Sequence, residues 1–289
     1  MIYMYTIGYS IVTLEHLVGL ILLCNSTNHL PNQRLLAINI ALVEMLFGCY
    51  SVTSFSAFMT DPYDKYWRLS DAFFGTLLTT EIKLTVLHMI LDRCLEIYSN
   101  VKYPLYMSTK RMKTLLVALW IFSGIIASIN TVLGLSLGHL IAGTFLTVNL
   151  LLFDIVILIA SIVTYVYFYS TVRKIKRLES IAKGHPHHRT MSLINDKFRL
   201  PCYIVSTYIL LNFTSMVILI STRYLHGKDS RKILVPISFM LSILGFISDG
   251  FIYVFANKNV RKLLTSRIRK RSTRVTGMTT TSAFSTNIL

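Results

Sequence analysis

Seven apolar stretches divide the chain, at roughly 5–24, 35–58, 71–95, 112–135, 143–171, 198–222 and 232–256. A helix needs about 20 mostly apolar residues to cross the hydrocarbon of a bilayer, and each stretch reaches that length. In lipid every backbone N–H and C=O must be satisfied internally, which leaves helices or a closed barrel. The runs are too long for barrel strands and lack their strict alternation. The first and third are the least clean, interrupted by Glu15 and His16 and by Glu81 and Lys83. Between the runs, Asn25–Pro31, Asp61–Tyr66, Lys110–Lys113, Lys183–Arg189 and His226–Arg231 carry turn and charge signals and read as short loops. The expectation is an all-α, seven-transmembrane helix bundle over residues 1–256, followed by a cytoplasmic segment, 257–289.

Composition agrees. Hydrophobic residues make up 53% of the 289 and charged residues 15%, against roughly 25% charged in a soluble protein. A soluble domain so composed lacks polar surface to cover itself, and a disordered chain is poor in apolar residues. The net charge of +16 fits a nucleic-acid binder, but the apolar excess does not, so no nucleic-acid partner is expected. With the N-terminus outside, 22 Lys and Arg fall on the cytoplasmic side and 6 outside, with Lys83 alone in the membrane. That asymmetry orients the bundle N-out and C-in. No basic segment precedes the first stretch, which reads as an uncleaved first helix. Cys24, Cys49, Cys94 and Cys202 fall toward cytoplasmic helix halves, so no outer disulfide is expected.

The third stretch ends Leu91-Asp92-Arg93-Cys94, and Pro104 follows eleven residues after Arg93. An Arg at the inner end of a span is expensive to desolvate and needs a carboxylate beside it. The second stretch reads Leu36-Ala37-Ile38-Asn39-Ile40-Ala41-Leu42-Val43-Glu44, Trp120 falls in the fourth, and the seventh contains Asp249-Gly250-Phe251-Ile252-Tyr253. From Asn257 to Lys270 a basic stretch places Val260, Leu263, Leu264 and Ile268 on one face, as in a helix lying on a membrane surface.

In order and spacing these marks resemble the rhodopsin-like (class A) G-protein-coupled receptors, over nearly all of residues 5–270. Asp92-Arg93 stands for the family's Asp-Arg-Tyr, Glu44 for its buried Asp, Asp249 to Tyr253 for Asn/Asp-Pro-x-x-Tyr, and Asn257–Lys270 for its short amphipathic eighth helix. Thr13-Leu14-Glu15-His16-Leu17-Val18 and the short segment near Ser136–Ala142 look closest to melanocortin-like receptors, with His16 where the family keeps Asn. Ser54, Arg68 and Ala72 occupy the positions of that group's calcium-holding carboxylates. The family's Pro is missing at Ile157, and Asn212 and Thr214 replace a Trp and a Pro in the sixth stretch; Pro201 and Pro236 move the kinks. The resemblance implies that Asp92 and Arg93 couple to a heterotrimeric G protein, with Tyr165 and Tyr253 meeting Arg93 in the active state. By position it implies a ligand pocket at Ser54, Asp71, Gly75, Asp154, Asn212 and Met216.

Glu44, Glu81, Lys83, Asp154 and Asp249 lie deep in the stretches, where each needs a partner or a proton. Glu44 and Asp249 are expected to face each other and to share a proton or hold sodium. Asp154 is the first choice of partner for Lys83, and Glu81 the second. No Ser/His/Asp set, metal-ligand spacing or phosphate loop emerges, so neither an enzyme nor a cofactor is expected. The reading is a plasma-membrane receptor that binds an extracellular ligand, small molecule or peptide, sits among lipids and activates a G protein. The alternatives are a seven-helix decoy or scaffold with weak coupling, and a small ion or proton transporter.

Overall fold

The computed structural model describes residues 2–25, 31–60, 65–99, 102–181, 203, 206–224 and 228–255, and these are 98% helical with no strand among them. The helices are α1 (Ile2–Asn25), α2 (Pro31–Thr60), α3 (Lys65–Ser70), α4 (Thr76–Ser99), α5 (Tyr103–Tyr106), α6 (Thr109–Ser136), α7 (His139–Ile181), α8 (Thr214–Tyr224) and α9 (Lys228–Phe255). A π turn at Asp71–Gly75 joins α3 to α4, and a second, Tyr208–Phe213, leads into α8. Six helices are long and apolar enough to cross a membrane: Tyr3–Asn25, Asn32–Ala57, Tyr66–Glu96, Thr109–Ser136, Ile141–Lys174 and Ile233–Ile252.

The sixth stretch lies only in part within the described residues. Its described apolar helix, Tyr208–Thr222, is shorter than a crossing, so six helices among the described residues are long and apolar enough to span a membrane. Polar Asn212 interrupts it and lies against α9, where a Cβ on Gly245 would clash with Asn212 Oδ1. The wider π turn carries the chain through this close approach. Three expected loops shrink for a local reason: helices begin inside them. Lys110–Lys113 is the first turn of α6, capped by Ser108, whose side chain accepts from the Arg111 N–H, while Arg111 Nη1 donates to the carbonyls of Leu105 and Tyr106. Likewise α3 starts at Lys65 and α9 at Lys228. The proposed eighth helix and tail, Asn257 onward, lie outside the described residues, as does Pro201; Pro236 sits inside α9.

α1 packs on α2 and on α9, α2 on α4, α4 on α6 and α7, and α8 on α9. Gly48 sets the α1–α2 approach: a Cβ there would lie 2.5 Å from Thr13 Oγ1 and 3.1 Å from the Tyr9 carbonyl. An aromatic seam closes α9 back onto this pair, with Phe47 between Tyr9 (ring centroids 5.8 Å apart) and Phe246 (5.2 Å). α6 and α7 turn exposed Val117, Ile121, Ile125, Leu152, Ile159 and Val163 outward, the surface a lipid-facing helix needs. They are joined by only Leu137 and Gly138, and the φ of +91° at Gly138 is the left-handed turn that glycine permits.

Candidate functional site

At the end of α4, Arg93 is 5% exposed and Asp92 1%. Two carboxylates meet the guanidinium: the adjacent Asp92 takes Nη2, and helical spacing brings Glu96, one turn on, to Nη1. Tyr103, at the start of α5, donates its hydroxyl to the second Asp92 oxygen at 2.5 Å. Asn32 ties this assembly to α2, donating to the Tyr103 hydroxyl (3.3 Å) and to the Met107 carbonyl (2.7 Å). Burial, then the bond to Asp92, push the Tyr103 hydroxyl well above its ordinary pKa, so it stays a donor at neutral pH. Of the two expected aromatic partners, only Tyr165 can be placed. Tyr165 is 62% exposed on the outer face of α7, and the side chain of Tyr253 lies outside the described residues.

At mid-bundle, Lys83 of α4 and Asp154 of α7 form an ion pair. Tyr208 completes it: the ammonium donates to the Tyr208 hydroxyl at 3.0 Å, and that hydroxyl donates to the same Asp154 oxygen. Ile157, one turn from Asp154, is fully buried beneath them. Three helical segments are thus pinned through one carboxylate oxygen. Glu81, the second choice of partner for Lys83, faces another way. It accepts from Ser123 (2.8 Å), Asn39 (3.2 Å) and Thr85 (3.3 Å), while Trp120 donates to the carbonyl oxygen of Asn39 at 3.0 Å. This fully satisfied network joins α2, α4 and α6.

The third cluster holds the expected Glu44 and Asp249 together with His16 and Glu15. Glu44 is ion-paired with His16 of α1, itself anchored to the Val12 carbonyl at 2.8 Å. Asp249 accepts from Thr207 at 2.9 Å and lies within electrostatic reach of Glu44, His16 and Glu15. A histidine in the first helix thus brings a proton carrier to Glu44, beside the Asp249 carboxylate that the sequence places near it. Among the described residues no group of three or more His, Cys, Asp or Glu side chains is arranged to hold a metal ion.

The expected pocket residues divide into two groups. Ser54 and Asp71 meet near the start of the third span, where the Asp71 carboxylate is exposed and accepts from Ser54 (3.1 Å) and from Tyr50; Gly75 lies against Asp71 and Tyr50. Asn212 and Met216 instead line a cavity of about 190 Å³ in the middle of the bundle, together with Lys83 and Tyr208. Asp154 stands behind Lys83, fully enclosed. Glu96, Tyr103 and Tyr50 were not anticipated as site residues. For Glu96 the i,i+3 spacing from Arg93 is the signal that finds it; for Tyr103 and Tyr50 only the fold is. No protein-family model matches the sequence, and no curated protein matches it.

Proposed function

We propose that the chain is a seven-helix receptor of the rhodopsin-like class, N-terminus outside, that binds an extracellular ligand and activates a heterotrimeric G protein at the plasma membrane. The observation that carries this reading is the buried Arg93 at the end of the third span, neutralised by Asp92 and Glu96 and released only by breaking those bonds. An arginine freed from such a site offers a charged donor to the bare carbonyls at a partner's helix terminus. The distribution of Lys and Arg supports the orientation. Taken with the apolar sequence before it, the short helix at Tyr208–Thr222 serves as the remaining crossing. In this reading a ligand shifts a two-state bundle, and loops two and three with Arg93 report the shift.

Nucleotide exchange by purified G protein on vesicles holding the chain tests it. Wild type should accelerate exchange and Arg93→Ala should not, at equal amounts of inserted protein. Equal exchange by both, or none by either under a broad ligand screen, rejects the proposal. A transporter reading draws on the buried charges at Lys83, Asp154, Glu44 and Asp249. Ion or proton flux across sealed vesicles, abolished by Glu44→Gln, would favour it instead.

A further inference from the structure

The short helix α5 and the first turn of α6 form a basic shelf beyond the end of α4, at the cytoplasmic end in the orientation proposed above. Lys102, Lys110, Arg111 and Lys113 are exposed there, and the sequence has no Asp or Glu between Glu96 and Asp154 to offset them. The shelf is anchored from within. Tyr103 donates to Asp92, Asn32 donates to the Met107 carbonyl, and Met112 is fully buried with its sulfur 3.3 Å from His88 Nε2. These anchors fix what the outer side presents. Leu105 and Tyr106 are exposed, and Arg111 Nη1 donates to both of their carbonyls at 3.0 Å. A guanidinium has five N–H donors, and the three on Nη2 and Nε donate to no protein atom among the described residues. At 3.6 residues per turn Lys110 falls within about 80° of Val117, Ile121 and Ile125, the outward row of α6. Lys113 flanks that row, one turn before Val117.

We propose that this shelf binds the headgroup of a multiply phosphorylated phospholipid in the adjoining leaflet, with Lys110, Arg111 and Lys113 on its phosphates and its chains along Val117 and Ile121. Charge decides the class. Phosphocholine and phosphoserine headgroups each carry an ammonium that three cations repel. A phosphomonoester has none, carries a charge of about −1.5 to −2 near neutral pH, and presents three acceptor oxygens. Arg111 is preorganised for it, because its bonds to α5 hold the planar group in place and leave donors for a forked contact. Depth decides the source. α6 has 28 residues and is about 42 Å long, against about 30 Å of hydrocarbon, so its first turn stands among headgroups. Leu105 and Tyr106 suit the same layer, where an apolar body and a polar tip are both satisfied. A lipid delivers its phosphates at that depth, at a raised effective concentration that a free phosphate lacks. The site goes beyond the receptor reading and needs only a bilayer against α6.

The test is native mass spectrometry of the full chain in detergent micelles, counting bound phosphatidylcholine, phosphatidylserine and phosphatidylinositol bisphosphate of equal chain length. The bisphosphate lipid should bind its tightest site at least ten-fold more strongly than phosphatidylserine. Each cation removed should weaken that binding about five-fold, so Arg111→Gln costs about five-fold and Lys110→Gln with Lys113→Gln about twenty-five-fold. The two lysine side chains make no hydrogen bond among the described residues, so the double variant keeps the test decisive if Arg111→Gln, which loses its bonds to α5, fails to fold. Arg173→Gln with Lys174→Gln, at the end of α7, should leave the tightest site unchanged. Soluble inositol trisphosphate should bind at least ten-fold more weakly than the lipid. Equal binding of phosphatidylserine and the bisphosphate lipid, a loss in the α7 variant without one in the α6 variants, or a soluble headgroup as tight as the lipid overturns the proposal. Nucleotide exchange plays no part in these readouts, so failure of the receptor reading leaves the site standing and the reverse holds equally.

Discussion

Glu96 lies one helical turn beyond Arg93 and takes one nitrogen of its guanidinium, while Asp92 takes the other. Among the described residues, both carboxylates that restrain the arginine come from its own helix. Neutralising Glu96 removes one charged bond without leaving the arginine unpaired. For a partly exposed pair this shifts the balance by about 1 kcal/mol, or about five-fold. Glu96→Gln is expected to raise basal nucleotide exchange by about that factor, measured without ligand against wild type at equal expression. Unchanged or lower basal exchange counts against the restraint.

Lys83 and Asp154 are expected to be strongly coupled. Lys83→Met leaves an unpaired buried carboxylate and should cost about 3–5 kcal/mol of stability. In the double variant Lys83→Met, Asp154→Leu most of that loss should return, because an apolar pair of similar volume replaces the ion pair. Denaturant unfolding in mixed micelles measures the cycle. A double variant as unstable as the sum of the two singles would show that the pair makes no direct contribution.

The Glu81 network gives a graded prediction. Ser123→Ala deprives one buried carboxylate oxygen of its donor and should destabilise by about 1–3 kcal/mol. Trp120→Phe removes a donor from the Asn39 carbonyl, one step further out, and should cost about 1 kcal/mol. Thermal unfolding of the two variants side by side checks the order; the reverse order would mean that Glu81 does not depend on Ser123.

Two glycines should respond oppositely to alanine. At Gly48 the new Cβ has a backbone carbonyl at 3.1 Å and no room to move, so Gly48→Ala should destabilise by about 1–3 kcal/mol. At Gly124 nothing lies within 4 Å, and Gly124→Ala should be neutral or stabilise α6 by up to about 1 kcal/mol. Melting temperatures that fall equally in both variants would place the α1–α2 contact elsewhere.

The spans were legible because length and apolarity are local properties, and six of the seven stretches are helices long enough to cross. Helix ends were less so. Basic residues at Lys110–Lys113 resemble a loop, while the cap that starts α6 is the single residue Ser108. Lys83 was legible as a cation deep inside a stretch rather than near its end, and Asp154 as the acid one turn from the missing Pro at Ile157. The His16–Glu44 pair was not, because α1 is apolar on nearly every side and no periodicity shows which face turns inward. Which carboxylate Arg93 or Lys83 selects depends on side chains far apart in sequence, and Tyr208 reaches Asp154 across 54 positions.

α7 has 43 residues, so it is about 64 Å long, roughly twice the depth of a bilayer's hydrocarbon. It is pinned to its neighbours near the middle, at Asp154, and ends in Arg173, Lys174 and Arg177. A rod held at such a fulcrum magnifies what happens there. Tilting by about 5° at Asp154 would carry its far end, about 27 positions and 40 Å away, through about 3.5 Å. A rearrangement too small to alter the packing around Tyr208 would thus displace this basic end of α7 by more than the length of a hydrogen bond.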